Sequence, residues 1–137
     1  MIRTNIITPY GPVYEGLATG VNLPGTEGAF EVKFNHASLM SMLEIGKVIV
    51  REKSGKEETF SVNGGFVEVF DNRVTVLAES AENVRDIDLD RARQAREKAA
   101  AKIREDKEQK AAQEDVLKAE LALKRAINRI KLYELKR

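Results

Sequence analysis

The chain contains neither cysteine nor tryptophan. Disulfides and thiolate metal centres are thereby excluded, and the absence of cysteine fits a reducing compartment. A single histidine, His36, would leave a zinc site to carboxylates alone, so no metal site is expected. No run of about 18 apolar residues occurs, and no segment reads as a membrane-spanning helix. The start, Met1-Ile2-Arg3-Thr4-Asn5, enters strand-like sequence without the basic and apolar stretches of a signal peptide. Chain breakers are unevenly distributed. The three prolines stand at positions 9, 12 and 24, and neither glycine nor proline occurs from residue 66 onward.

What is present divides at the same place. Of 137 residues, 42% are apolar and 33% charged, enough for one modest core with more charge than a compact sphere needs. Residues 1–84 carry 7 Lys+Arg against 11 Asp+Glu, a net −4, whereas residues 85–137 carry 16 against 11, a net +5. A basic arm on an acidic body points to an acidic partner surface or an anionic ligand for the arm.

Residues 1–84 read as strands punctuated by turns. Ile2–Ile7 runs into Thr8-Pro9-Tyr10-Gly11-Pro12, whose prolines remove backbone donors. In the next strand, Leu17, Thr19, Val21 and Leu23 alternate and are expected on one face, before the turn Pro24-Gly25-Thr26-Glu27-Gly28. Lys53-Ser54-Gly55-Lys56 and Asp71-Asn72-Arg73 each separate two apolar runs, the pattern of β-hairpins. Asn63-Gly64-Gly65 is expected to form a third hairpin turn. Turns recurring at this spacing predict an all-β sandwich or barrel of about ten short strands.

After Glu82 the period changes to that of a helix. Ala92, Ala95, Ala99 and Ile103 form one expected stripe; Val116, Leu123, Ile127 and Ile130, widened by Leu117 and Leu121, form another. The charged stretch Arg104–Glu114 between them is expected to hold the turn. The fold class is therefore α+β: an N-terminal sandwich over 1–84, then an antiparallel two-helix hairpin over 85–137. An alanine stripe permits close approach but buries little, so the hairpin is expected to be marginally stable and cheap to undock.

Catalytic patterns are missing. Gly64-Gly65 is not followed by the Gly-Lys-Ser/Thr of a phosphate loop, Ser61 and Ser80 sit in no nucleophile elbow, and His36 has no nucleophile beside it. Aromatics are absent from the arm apart from Tyr133, and its charges alternate in sign, which argues against nucleic acid. No catalytic residue is assigned.

Four segments, in order, resemble the epsilon subunit family of F-type ATP synthases. They are Ile7-Thr8-Pro9-Tyr10-Gly11-Pro12-Val13-Tyr14-Glu15-Gly16; Leu23-Pro24-Gly25-Thr26-Glu27-Gly28-Ala29-Phe30; Val62 to Val69 with Asn72 to Ala78; and Ala119 to Ile130. The loop Glu31-Val32-Lys33-Phe34-Asn35-His36-Ala37-Ser38-Leu39 departs from the family, lacking both prolines and the first glycine, yet a loop is still expected there. The resemblance implies a non-catalytic rotor component of the central stalk. Its partners would be the gamma subunit, the c-ring and the alpha and beta subunits. It would sit peripherally, at the cytoplasmic face of the bacterial plasma membrane, within the proton-transporting synthase. It also implies helices that lie folded or extend into the catalytic head to inhibit ATP hydrolysis. If the resemblance misleads, the residues alone describe a stand-alone β-sandwich interaction module with a coiled-coil arm.

Ile87-Asp88-Leu89-Asp90-Arg91-Ala92 resembles the pattern of family members that hold ATP, a regulatory ligand rather than a required cofactor. That resemblance implies Glu82, Ile87, Asp88, Arg91 and Ala92 around the adenosine, with Arg125 and Arg129 at the phosphates. A further phosphate arginine of the family falls on Lys98, which keeps charge but loses the bidentate fork. Arg96, two residues away, is turned roughly 200° from it. A second reading of the same residues stays open: Asp88 as a helix cap, Asp90 as a favourable first-turn charge, and the arginines solvated or facing partners.

Overall fold

The computed structural model describes residues 1–135. It comprises two compact units, Met1–Asn83 and the residues from Val84 onward.

The first unit is built from seven strands: β1 (Ile2–Thr8), β2 (Gly11–Gly25), β3 (Gly28–Lys33), β4 (Leu39–Glu52), β5 (Glu57–Phe70), β6 (Arg73–Ala78) and β7 (Ala81–Asn83). The expected ten merge into seven because β2, β4 and β5 are 14 or 15 residues long and each serves more than one neighbour. The path β1-β6-β5-β4-β2 closes when the first half of β2 pairs with β1, so the sheet returns on itself as a barrel-like sandwich. β3 adds to β2 and β7 to β5. Closure removes most exposed strand edges, which would otherwise recruit other chains. Every pairing is antiparallel except β1 with β6.

The interior is lined largely by β-branched residues, among them Ile2, Ile6, Val21, Val48, Val62, Val67, Val74 and Val76, all fully buried. These side chains pack well on a pleated surface and lose little rotamer freedom there. Tyr14 meets Phe60 edge-on at 5.5 Å between ring centroids. Burial pushes the Tyr14 hydroxyl above its ordinary pKa, and the carboxylates of Glu52 and Glu58 push it further. Glu58 is itself buried; it accepts from Asn83 Nδ2 at 2.7 Å and pairs with Lys56 Nζ at 2.9 Å, fastening β7 to β5.

Two expectations fail in this unit. Leu17 and Thr19 face outward, with Leu17 53% exposed, while Ala18, Gly20, Val21 and Leu23 face in. The pairing of β2 with β4 slips between Ala18 and Gly20, and an extra residue in a strand exchanges its two faces. Asn63-Gly64-Gly65 is not a turn. It lies inside β5, with Gly64 at φ +86° and Gly65 at φ +143°. There the strand bends without losing register with β4, and a Cβ on Gly65 would collide with the Leu77 carbonyl oxygen. The true tight turn, Asp71-Asn72, has φ of 49° and 57°, the mirror-image turn that suits a twisted hairpin. Asn72 also ties in the atypical loop: its Oδ1 accepts from Asn35 N at 2.6 Å, and its Nδ2 donates to Asn35 Oδ1 at 3.1 Å.

The second unit opens with a 3₁₀ turn, Val84–Asp86, followed by α1 (Leu89–Glu108) and α2 (Gln113–Leu135). The break falls within the expected charged stretch. The Lys110 amide bonds Lys107 O and the Ala111 amide bonds Asp106 O, with Lys110 at φ 54°. This is the usual glycine-type helix stop, made here by a lysine at the strain cost of a left-handed residue.

Candidate functional site

The site residues are positioned by helix ends and by the seam between α1 and α2. Asp88, at φ −86° and ψ 102°, caps α1; its side chain accepts from the Arg91 amide at 3.2 Å. Short acidic side chains at this position satisfy amides that a helix start leaves unbonded. Just ahead, Ile87 is 5% exposed and packs with Val84, Leu132 and Tyr133. Ala92 is fully buried, whereas Arg91 points to solvent.

The seam differs from its expected composition. On α1 the inward positions are Ala92, Arg96, Ala99, Ile103 and Asp106; Ala95 is exposed. On α2 they are Val116, Ala119, Leu123, Ala126, Ile130 and Tyr133, while Leu117, Leu121 and Ile127 are 51%, 44% and 47% exposed. Both lists alternate steps of three and four, the repeat of a two-helix coil. Four buried alanines lie along this line together with Ile130, while Leu117, Leu121 and Ile127 are left outside. This step pattern is the signal that places Arg96 on the inward line between Ala92 and Ala99, a residue the sequence reading set aside. Its Nε meets Glu97 Oε1 at 3.3 Å.

The antiparallel register decides which candidates meet. Ile87 shares a cluster with Leu132, and a cavity of about 550 Å³ between the helices is lined by Ala95, Lys98, Ala99 and Lys102 on one side and Ala119 and Ala122 on the other. Arg125 and Arg129 therefore run beside the first turns of α1, alongside Ile87, Asp88, Arg91 and Ala92. Both arginines are half-buried and stand four apart on one helix face. Lys98 is exposed and sits nearer the hairpin tip, about one turn beyond the level of Arg125. Glu82 belongs to the strand unit, on β7 opposite Ser61. Guanidinium forks on one face beside a helix start have the chemistry for a polyanion such as a nucleotide phosphate chain.

At the tip, Asp106 is 2% exposed and accepts from Lys102 Nζ at 2.7 Å. The hydrogen bond to Asp106, then the charge of Asp106, raises the Lys102 pKa above its ordinary value. Among the described residues no group of acidic and histidine side chains could hold a metal ion, and no helix is long and apolar enough to cross a membrane.

The chain matches the ATP synthase delta/epsilon chain beta-sandwich domain over residues 1–84 and the long alpha-helix domain of the same chain over residues 85–134. It is 41% identical to the ATP synthase epsilon chain of Lacticaseibacillus casei over 132 residues, covering 95% of this chain and 92% of that one. The ATP synthase epsilon chain of Desulforapulum autotrophicum is 40% identical over 133 residues, covering 97% and 96%. A chain of the Euglena gracilis mitochondrial ATP synthase, in its OSCP/F1/c-ring assembly, superposes with a TM-score of 0.78 at 22% identity, over 93% of this chain and 78% of that one, a likeness of fold. With both halves matched in order along nearly its whole length, the chain belongs to the delta/epsilon chain family of the ATP synthases.

Proposed function

We propose that this protein is the epsilon subunit of a proton-transporting F-type ATP synthase, a central-stalk component that couples the c-ring to the catalytic head. In this reading it sits peripherally at the cytoplasmic face of the bacterial plasma membrane. The strand unit holds the gamma subunit and the c-ring, the helical unit changes posture to restrain ATP hydrolysis by the alpha and beta subunits, and turnover belongs to those subunits. The observation that carries the regulatory part is the alanine seam. Buried methyls at Ala92, Ala99, Ala119 and Ala126 hold much of α1 to α2. Each is worth about 0.8 kcal/mol, against about 1.5–3 kcal/mol for a leucine. A hairpin held this loosely opens at small cost.

ATP is the proposed ligand of the folded hairpin, with Arg125 and Arg129 at its phosphates and Ile87, Asp88, Arg91 and Ala92 near the nucleoside. Lys98 contributes a further positive charge without a guanidinium fork. A ligand that binds only the folded pair at 100 times its dissociation constant adds about 2.7 kcal/mol, comparable to the four buried alanine methyls together. ATP would thus favour the folded state and relieve inhibition. Two measurements test the reading. Removing residues 85–137 is expected to raise ATP hydrolysis by the assembled synthase without abolishing synthesis, and unchanged hydrolysis would refute the regulatory role. Calorimetric titration of the isolated chain is expected to show ATP binding that Arg125→Ala and Arg129→Ala weaken; no heat at millimolar ATP ends the ligand proposal.

A further inference from the structure

The tip of the hairpin goes against its own local preferences in two ways. The first is the turn itself. From Lys107 to Gln113 the chain reads Lys-Glu-Gln-Lys-Ala-Ala-Gln, all strong helix formers. Nothing in that stretch signals a stop, yet α1 ends at Glu108 and α2 begins at Gln113. The stop carries both bonds of a left-handed cap, Lys110 N to Lys107 O at 3.3 Å and Ala111 N to Asp106 O at 2.8 Å. It places a lysine at φ 54°, where glycine is the ordinary choice. The residue ahead of α2, Ala112, has no side-chain oxygen with which to cap it.

The second is Asp106. It lies in the last turn of α1, where the helix dipole disfavours negative charge. In this kind of stop an apolar residue commonly fills that place, three before the cap. Asp106 is nonetheless 2% exposed. Its Oδ1 accepts from Lys102 Nζ at 2.7 Å, but its buried Oδ2 has no hydrogen-bond partner among the described residues. A buried carboxylate oxygen without a partner is unfavourable, and water would satisfy it once the helices part. The bond to Lys102 spans one turn of α1 and survives that parting. Left-handed lysine and half-bonded carboxylate therefore both favour the open hairpin, and the seam holds it shut against them. Local preferences are overridden in this way where function requires it.

We propose that the tip is a spring: Lys110 and Asp106 store free energy in the folded hairpin and release it on opening, so that the seam can never close firmly. Its consequence for the synthase rests on the reading that the helical unit restrains ATP hydrolysis. The test uses the full-length chain, which has no cysteine of its own, labelled at Arg93→Cys and Lys124→Cys to report the distance between α1 and α2. Lys110→Gly is expected to raise the folded-to-open ratio about fivefold. Asp106→Leu, apolar and of similar reach, is expected to raise it about tenfold. Lys102→Met, which leaves the carboxylate without its cation, is expected to lower it about tenfold, and adding Asp106→Leu should reverse that loss. In the opened Lys102→Met chain the amides of Lys110, Ala111 and Ala112 should gain protection from exchange as the stretch runs on as helix, which simple unfolding would not produce. If Asp106→Leu opens the hairpin, or Lys110→Gly leaves the ratio unchanged, the spring is overturned. In the assembled synthase both closing variants should weaken the restraint on hydrolysis. If they close the hairpin and hydrolysis does not change, the spring stands and the regulatory reading fails.

Discussion

The strand unit and the helical unit spend their apolar residues in opposite ways. The barrel buries most of its valines and isoleucines and carries within β5 a glycine pair where a Cβ on Gly65 would strike the Leu77 carbonyl oxygen. The hairpin buries four alanines with Ile130 and Leu132 and leaves Leu117, Leu121 and Ile127 on its surface. A closed sheet must fill a fixed interior, and β1 and β2 are tied to β6 and β4, far away in sequence. Two helices need only touch along one line, and their backbone bonds are satisfied without the partner. One unit is held by pairings across the whole sheet, the other by a single seam between two helices.

Four changes would sharpen or break that contrast, and the first should act most strongly. Gly65→Val in β5 forces a Cβ against the Leu77 carbonyl at φ +143°, and the strand unit should lose about 3 kcal/mol or more in denaturant unfolding. A loss under about 1 kcal/mol would mean that the barrel is not rigid at its bend. Next, Ala126→Leu overfills a buried place in the seam and should cost the hairpin about 1–3 kcal/mol, seen as faster amide exchange along α1 and α2 with β5 and β6 unaffected. Unchanged exchange would show that the alanines do not set the approach of the helices.

Asp88→Ala removes the cap on α1, and exchange in its first turn should rise by an amount equivalent to about 1 kcal/mol. The smallest effect concerns the tip. The pKa of Lys102 is raised in the folded hairpin by Asp106, so the pair stabilises fully below the ordinary lysine range. That contribution fades as pH climbs through the raised value. Amide protection around Asp106 should therefore be flat through neutral pH and fall only at strongly alkaline pH, and Lys102→Met should abolish that fall.

Much of this was legible from local pattern. The change of period after Glu82, the hairpin at Asp71-Asn72 and the cap at Asp88 each rest on a few neighbouring residues, and short-range physics suffices to recognise them. The misreadings share a cause. Leu17 and Thr19 were expected to share a face with Val21 and Leu23 because alternation was extended through a bulge that only pairing with β4 creates. Gly64-Gly65 looked like a turn because two glycines free the backbone to reverse, yet the ladders on both sides keep β5 running. Ala95 and Ile127 fit a straight helical period, but contact between α1 and α2 selects steps of three and four and brings Arg96 inward instead. The candidate ligand residues Ile87, Asp88, Arg91 and Ala92 fall within one six-residue stretch and could be proposed from it. That Arg125 and Arg129 run beside them depends on the antiparallel register, and no window of sequence contains it.

The sequence by itself determined where strands give way to helices, which residues reverse the chain, and how charge divides between an acidic body and a basic arm. These are properties of composition and of contacts a few residues apart. The tertiary structure alone decided which face of each element is inside, how the sheet closes, and that Ile7 stands opposite Leu77. Such facts depend on hydrogen-bonded register between segments up to 70 positions apart, from Ile7 to Leu77. Register is set by packing of the whole sheet, and a slip of one residue would turn each of those side chains to the other face.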